Sequence, residues 1–229
     1  MKLIRLLGLP VLAFVILSVL AATELCAADH GPSVPPDEAL ARLNAGNERF
    51  AHTQPALPKS FAARRVEIVG GQHPFAVILG CSDSRVPPEI VFDEGLGDLF
   101  VVRTAGNVAN SDKIASIEYA VKHLGSALIV VLGHERCGAV DAAVHDVQEK
   151  GSLPKLLKAI RPAVLKAEKQ KGNLLENAVR QNVLDVVNRL NTDQPILAPL
   201  VKSGSIRIVG AYYNLETGAV RFFDKPKSD

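Results

Sequence analysis

The sequence predicts an α/β fold: a mainly parallel central sheet flanked by helices, with an antiparallel C-terminal edge hairpin. Three observations carry that expectation. Apolar runs of strand length recur at PFAVILG (74–80), LFVVR (99–103) and ALIVVLG (127–133), with no polar alternation. Such runs mark strands buried on both faces, as in a parallel sheet. Second, the helical pattern IASIEYAVKHL separates the second and third runs, giving the strand–helix–strand order of a right-handed crossover. Third, SIRIVGAYY and AVRFF flank Glu216-Thr217-Gly218, whose chemistry is that of a turn.

The chain begins with a different signature. Lys2 and Arg5 precede an apolar stretch from Leu6 to Ala22, broken by Pro10, and the small residues Ala27 and Ala28 follow. A basic start, an apolar middle and a small-residue exit describe a secretory signal peptide over residues 1–27. An uncleaved anchor is the alternative, but the run falls just short of the ~18 residues of a spanning helix. A lipoprotein needs small residues before Cys26, and Thr23, Glu24 and Leu25 fit that poorly. The expectation is an exported protein, periplasmic in a Gram-negative cell, with one domain over residues 28–229 and no stable membrane insertion after cleavage.

The elements follow in order. DHGPSVPP (29–36) reads as loop, and Asp37 as the N-cap or first-turn acid of a helix with Ala39, Leu40, Leu43 and Phe50 on its apolar side. Gly46 lies inside that helix and weakens it. Residues 51–60 hold two prolines and read as loop, and a short helix from Phe61 to Val69 stops at Gly70-Gly71. Ser111 or Asp112 caps the next helix, and Gly125 ends it. Further helices are expected at 138–149, at 155–169 with Pro162 as kink or boundary, and at 173–190. In the last, Leu174, Ala178, Val179, Val183, Val186 and Leu190 recur at helical spacing.

Composition excludes little but points away from some partners. Hydrophobic residues are 48% and charged residues 22%, and the formal net charge is only +2. Nothing in that balance argues for nucleic acid or anionic lipid. Without residues 1–27 two cysteines remain, Cys81 and Cys137. In an oxidising compartment their default is a disulfide.

Their positions suggest another use. Cys81 directly follows the first buried run, and His134 and Cys137 directly follow the third. Both groups therefore sit at carboxyl ends of parallel strands, the edge where open α/β sheets bind ligands. Spacing of i, i+3 at the first turn of a helix puts His134 and Cys137 on one side. Two thiolates and an imidazole are ligands that zinc prefers, and three protein ligands leave the open position of a catalytic site. A disulfide gives no role to His134, nor to Asp83 and Arg85 beside Cys81. That pair is either an ordinary loop salt bridge or a carboxylate held ionised and oriented by a bidentate arginine.

CSDSRVPPE followed by GHERCGA resembles the β-class carbonic anhydrases. DEALARLNAGNERF resembles the family's N-terminal helix. GDLFVVRTAGN resembles its central strand and following loop, although Thr104 stands where asparagine is common. The resemblance implies one Zn2+ per chain on Cys81, His134 and Cys137. It implies a catalytic dyad of Asp83 and Arg85, with Asp83 a fourth metal ligand only in a closed, inactive state. The implied reaction is CO2 + H2O ⇌ HCO3⁻ + H⁺, through zinc-bound hydroxide oriented by Asp83. The implied assembly is a homodimer or higher homo-oligomer with the site at the subunit interface.

In certain bacterial members bicarbonate favours the closed state from a pocket of tryptophan, arginine and tyrosine. This chain has no tryptophan. Ile78 takes its place, and Arg103 and Tyr119 match the other two, so such regulation is expected to be weak or absent. Carbonyl sulfide or carbon disulfide hydrolysis on the same site, or a non-catalytic zinc- or bicarbonate-binding role, stay open. His30, His52, His73, His123 and His145 are the candidate proton shuttles.

Overall fold

Each apolar run becomes a strand: β1 (Ala76–Gly80), β2 (Leu99–Arg103), β3 (Leu128–His134) and β4 (Arg207–Tyr213), with a short β5 (Val220–Phe222) last. The computed structural model describes residues 34–56 and 61–223. The expected signal peptide, its cleavage site, Cys26 and His30 lie outside those residues. Strand order is β2-β1-β3-β4-β5. The first four strands are parallel. β5 pairs antiparallel with the end of β4, Ala211–Tyr213 against Val220–Phe222, as the expected edge hairpin. β1 and β3 are central and every residue in them is buried, which is why they read as unbroken apolar runs.

The helices are α1 (Pro36–Ala51), α2 (Ala62–Glu67), α3 (Pro88–Val91), α4 (Ser111–Leu124), α5 (Gly138–Val144), α6 (Leu153–Ala167), α7 (Leu174–Asn191) and α8 (Leu197–Lys202). Alternate strand residues feed two cores. Val77, Leu79, Ile129 and Val131 meet Ile114 and Ile117 of α4 and Val183 and Leu190 of α7. Ala76, Ile78, Leu128 and Val130 meet Ala39 and Leu43 of α1, with Phe92, on the other face. Full burial of each large aliphatic side chain contributes about 1.5–3 kcal/mol. Among the described residues no helix is long and apolar enough to cross a membrane.

Several local expectations change. The N-cap of α4 is Asn110, whose side chain accepts from Lys113 N–H at 3.2 Å, so Ser111 and Asp112 fall in the first turn. Gly125 ends the helix in the left-handed region, as expected. Asp37 is a first-turn acid behind Pro35 and Pro36. Gly46 does more than weaken α1: a Cβ there would lie 1.8 Å from the Phe92 carbonyl oxygen. Only glycine lets the helix approach the end of α3 so closely. Pro162 is no boundary. α6 runs through it and buries Ile160, Ala163, Val164 and Ala167, so burial of that face outweighs the missing backbone bond. The helix expected over 138–149 stops at Val144, because residues 145–150 are exposed and have nothing apolar to bury beyond Val147. α3 and α8 have four and six residues, too few to show a helical period.

Candidate metal centre

Pairing of β1 with β3 sets Gly80 beside Leu132, so both strands deliver the chain to one edge. Cys81 follows β1 directly, His134 is the last residue of β3, and Cys137 is the N-cap of α5. The i, i+3 spacing therefore works through a turn and not through a helical turn. Arg136, with φ of +51°, reverses the backbone between the two donors. The ligand atoms of Cys81, His134 and Cys137 all lie within 4.8 Å of one another, and all three residues are buried.

These residues fit zinc. Their two Sγ atoms are 3.9 Å apart and the thiols are free. That is nearly twice the ~2.05 Å of a disulfide, and close to the roughly 3.8 Å that two Zn–S bonds of about 2.3 Å subtend in a tetrahedron. His134 Nδ1 lies 2.8 Å from the Glu135 carbonyl oxygen. A carbonyl only accepts, so Nδ1 carries the proton and Nε2 presents its lone pair. Nε2 is buried and has no hydrogen-bond partner, an orphan that a metal bond would satisfy.

Charge at the thiols points the same way. A hydrogen bond from Cys137, helped by His134 and by Gly106 N–H, pulls Cys81 down to about 4 despite its burial. Cys137 is pushed upward by its bond to Cys81 and by burial, while the N–H groups of Val140 and Ala139 pull it down. Metal binding by the two thiols would release their protons. Burial pulls His134 down, but the neighbouring Cys81 thiolate and the Glu135 carbonyl leave it raised.

Asp83 stands beside the cluster. Its Oδ1 accepts from Arg85 N–H at 3.0 Å and Nε at 2.9 Å, and its Oδ2 accepts from Nη2 at 2.7 Å. These bonds hold the carboxyl far below the ordinary carboxylate range, with burial opposing. Oδ2 lies 3.7 Å from His134 Nε2. Asp83 is therefore next to the donor set yet tied outside it.

Sequence reasoning missed the part Arg103 plays. It sits at the end of β2 and donates to the Cys81 carbonyl at 2.8 Å and the Asp83 carbonyl at 2.6 Å, bracing the loop that carries both. Tyr119 does not join it. Its ring packs on Phe100 and His123, and Phe100 belongs to the α4 side of the sheet. Ile78 lies on the α1 side, in the same cluster as Tyr213. The expected trio of Ile78, Arg103 and Tyr119 is thus split across the sheet. His52, His73, His123 and His145 are all exposed. His52 and His145 bond carbonyls of their own helices, Glu48 and Asp141. A cavity of about 580 Å³ lies elsewhere, between Glu135, Arg136, α7 and β5, and its lining includes none of the five site residues.

Fold and donor set together define a class: an α/β protein with three metal donors at the carboxyl edge of its sheet, one fewer than a closed structural zinc site uses. The family model described as carbonic anhydrase matches residues 76–220. Carbonic anhydrase 2 of Mycobacterium tuberculosis is 41% identical over 192 residues, which are 82% of this chain and 92% of that protein. Among solved structures, the β-carbonic anhydrase CcaA superposes with a TM-score of 0.65 at 32% identity, covering 83% of this chain and 97% of its own. A structure from the study of two tetrameric β-carbonic anhydrases of Sordaria macrospora gives 0.64 at 25% identity, covering 82% and 95%. The chain belongs to the β-class carbonic anhydrase family.

Proposed function

We propose that this enzyme catalyses the reversible hydration of carbon dioxide to bicarbonate and a proton, with Asp83 and Arg85 as its orienting pair. The observation that carries the reading is the placement of Asp83, ionised, bound three times by Arg85 and 3.7 Å from His134 Nε2. Cys81, His134 and Cys137 would hold zinc, which when bound supplies a Lewis acid able to bring water to hydroxide near neutral pH.

The chain's own residues do the rest. An ionised carboxylate only accepts hydrogen bonds. Asp83 takes the hydrogen bond of the reacting water and so turns that oxygen's lone pair toward carbon dioxide. Arg85 stops Asp83 from rotating onto the thiols and keeps it from taking the proton itself. Arg103 fixes the backbone on which Asp83 is carried.

The test is stopped-flow carbon dioxide hydration by the purified protein at known zinc content. Fast turnover that chelation removes and zinc restores is expected. Full zinc loading without turnover would overturn the reading.

Assembly and location extend it. A relative belongs to a pair of enzymes described as tetrameric, which supports a homo-oligomer, measurable by light scattering. The basic, apolar and small-residue pattern of residues 1–27 supports export. Fractionation that found the full-length chain in the cytoplasm would contradict it.

A further inference from the structure

The Cys81 thiolate has a backbone donor of its own. Gly106 N–H lies 3.2 Å from Cys81 Sγ. Gly106 belongs to the turn Ala105–Asn107 that follows β2, and its φ is +64°. A Cβ at this position would come within 2.7 Å of Ile160 Cδ1. The left-handed backbone therefore favours glycine, and any side chain here would also have to push the end of Ile160 aside. Glycine is also the residue with the widest choice of conformations, so its orientation has to be imposed from outside.

Asn182 imposes it. The residue sits on α7, is 3% exposed, and donates from Nδ2 to the Gly106 carbonyl at 2.8 Å. Its neighbours along the buried side of the helix are Ala178, Val179, Val183 and Val186. An amide placed in such a stripe costs stability unless it is hydrogen-bonded. The bond from Nδ2 runs to the turn that feeds the metal centre. Packing against α7 alone would be served by an aliphatic side chain.

We propose that Asn182 is a positioning residue for the metal centre: by fixing the Gly106 carbonyl it holds the Gly106 N–H on Cys81 Sγ. This rests on the reading that Cys81, His134 and Cys137 hold zinc. An N–H···S bond fixes the direction in which the sulfur lone pairs point, so losing it loosens the donor's aim at the metal position. Outer partners of this kind typically change metal affinity or activity by about 10–100-fold.

Two readouts on the full chain test it without relying on turnover. In cadmium-loaded protein, magnetic resonance should detect scalar coupling between the cadmium nucleus and the Gly106 amide proton, and Asn182→Leu should weaken or remove it. In zinc-loaded protein, Asn182→Leu should lower zinc affinity, read by chelator competition, about 10–100-fold.

Asn47 supplies the control. It is equally buried, at 4%, and holds backbone at Val91, Gly218 and Val220. Asn47→Leu should cost stability but leave zinc affinity and the Gly106 coupling unchanged. Absence of the coupling in the unaltered protein would overturn the proposal. So would unchanged zinc affinity in Asn182→Leu, or equal loss in Asn47→Leu. Asn182→Ala takes the same measurements should the leucine variant not fold. Unaltered protein that takes up no metal would instead overturn the zinc reading beneath it.

Discussion

Asp83 and Glu94 each meet an arginine through both carboxylate oxygens. Asp83 is bound by Arg85, two residues away, and Arg85 is half-exposed. Glu94 is bound by Arg42, 52 residues away on α1, and its side chain is only 4% exposed. The first carboxyl is held far below the ordinary range by Arg85. The second is raised, because burial outweighs the Arg42 bonds that pull it down. Arg42 is raised by the same bonds against its own burial, and it also covers the Phe75 ring at 4.0 Å. Similar bonds thus do different work. A local pair on a loop fixes a charge in one orientation and ties nothing together. A distant pair fastens α1 to the chain after α3 at the cost of a desolvated carboxylate.

The largest separation of the two should come from removing the donors beside the first pair. Cys81→Ser is expected to lose zinc and turnover together, measured by metal analysis and stopped flow. Asp83→Asn should keep its zinc yet lose roughly a hundredfold or more in kcat. Full activity in that variant would end the orienting role. Arg42→Met should do the reverse, leaving kcat per zinc intact while costing about 2–3 kcal/mol in denaturant unfolding, because it strands a buried carboxylate.

The smallest effect is in pH dependence, where the two carboxyls have opposite signs. Asp83 is depressed, so its share of stability is present above the ordinary aspartate value and is lost as pH falls through the folded one. Glu94 is raised, so its share is present below the ordinary glutamate value and is lost as pH rises through the folded one. Asp83→Asn should therefore flatten the acid loss of stability, and Glu94→Gln the loss on the higher-pH side. Urea unfolding across the acid range measures both. Identical profiles would mean that the two pairs do not differ as described.

What the sequence made legible was what lies close along the chain. β1 and β3 are unbroken apolar runs, and Cys81, Asp83, Arg85, His134 and Cys137 lie within six residues of their ends. Contacts between distant residues were not legible. Nothing near Arg103 announces that it braces the carbonyls of Cys81 and Asp83. The one available signal for Asn182 was a polar residue inside an apolar helical stripe, and it says only that a partner exists. Tyr119 was placed by residue type alone, and the two-residue alternation of β2, which sends Phe100 and Val101 to opposite faces, puts its ring on the wrong side. Pro162 and Gly46 were read by propensity, whereas burial and a close backbone approach decide both.

The pairing of Gly80 with Leu132 has a further consequence. The donors leave the ends of two neighbouring strands, so their meeting depends on how those strands are aligned. A slip of one residue displaces a strand by about 3.3 Å and turns its side chains to the opposite face. That shift is comparable to the whole span of the cluster, so a slipped chain has two separate half-sites. The proximity of the three donors is therefore a direct consequence of strand register. Only the aligned sheet brings Cys81, His134 and Cys137 within reach of one another, so any variant that shifts β1 against β3 takes the donor set apart even where each donor is intact.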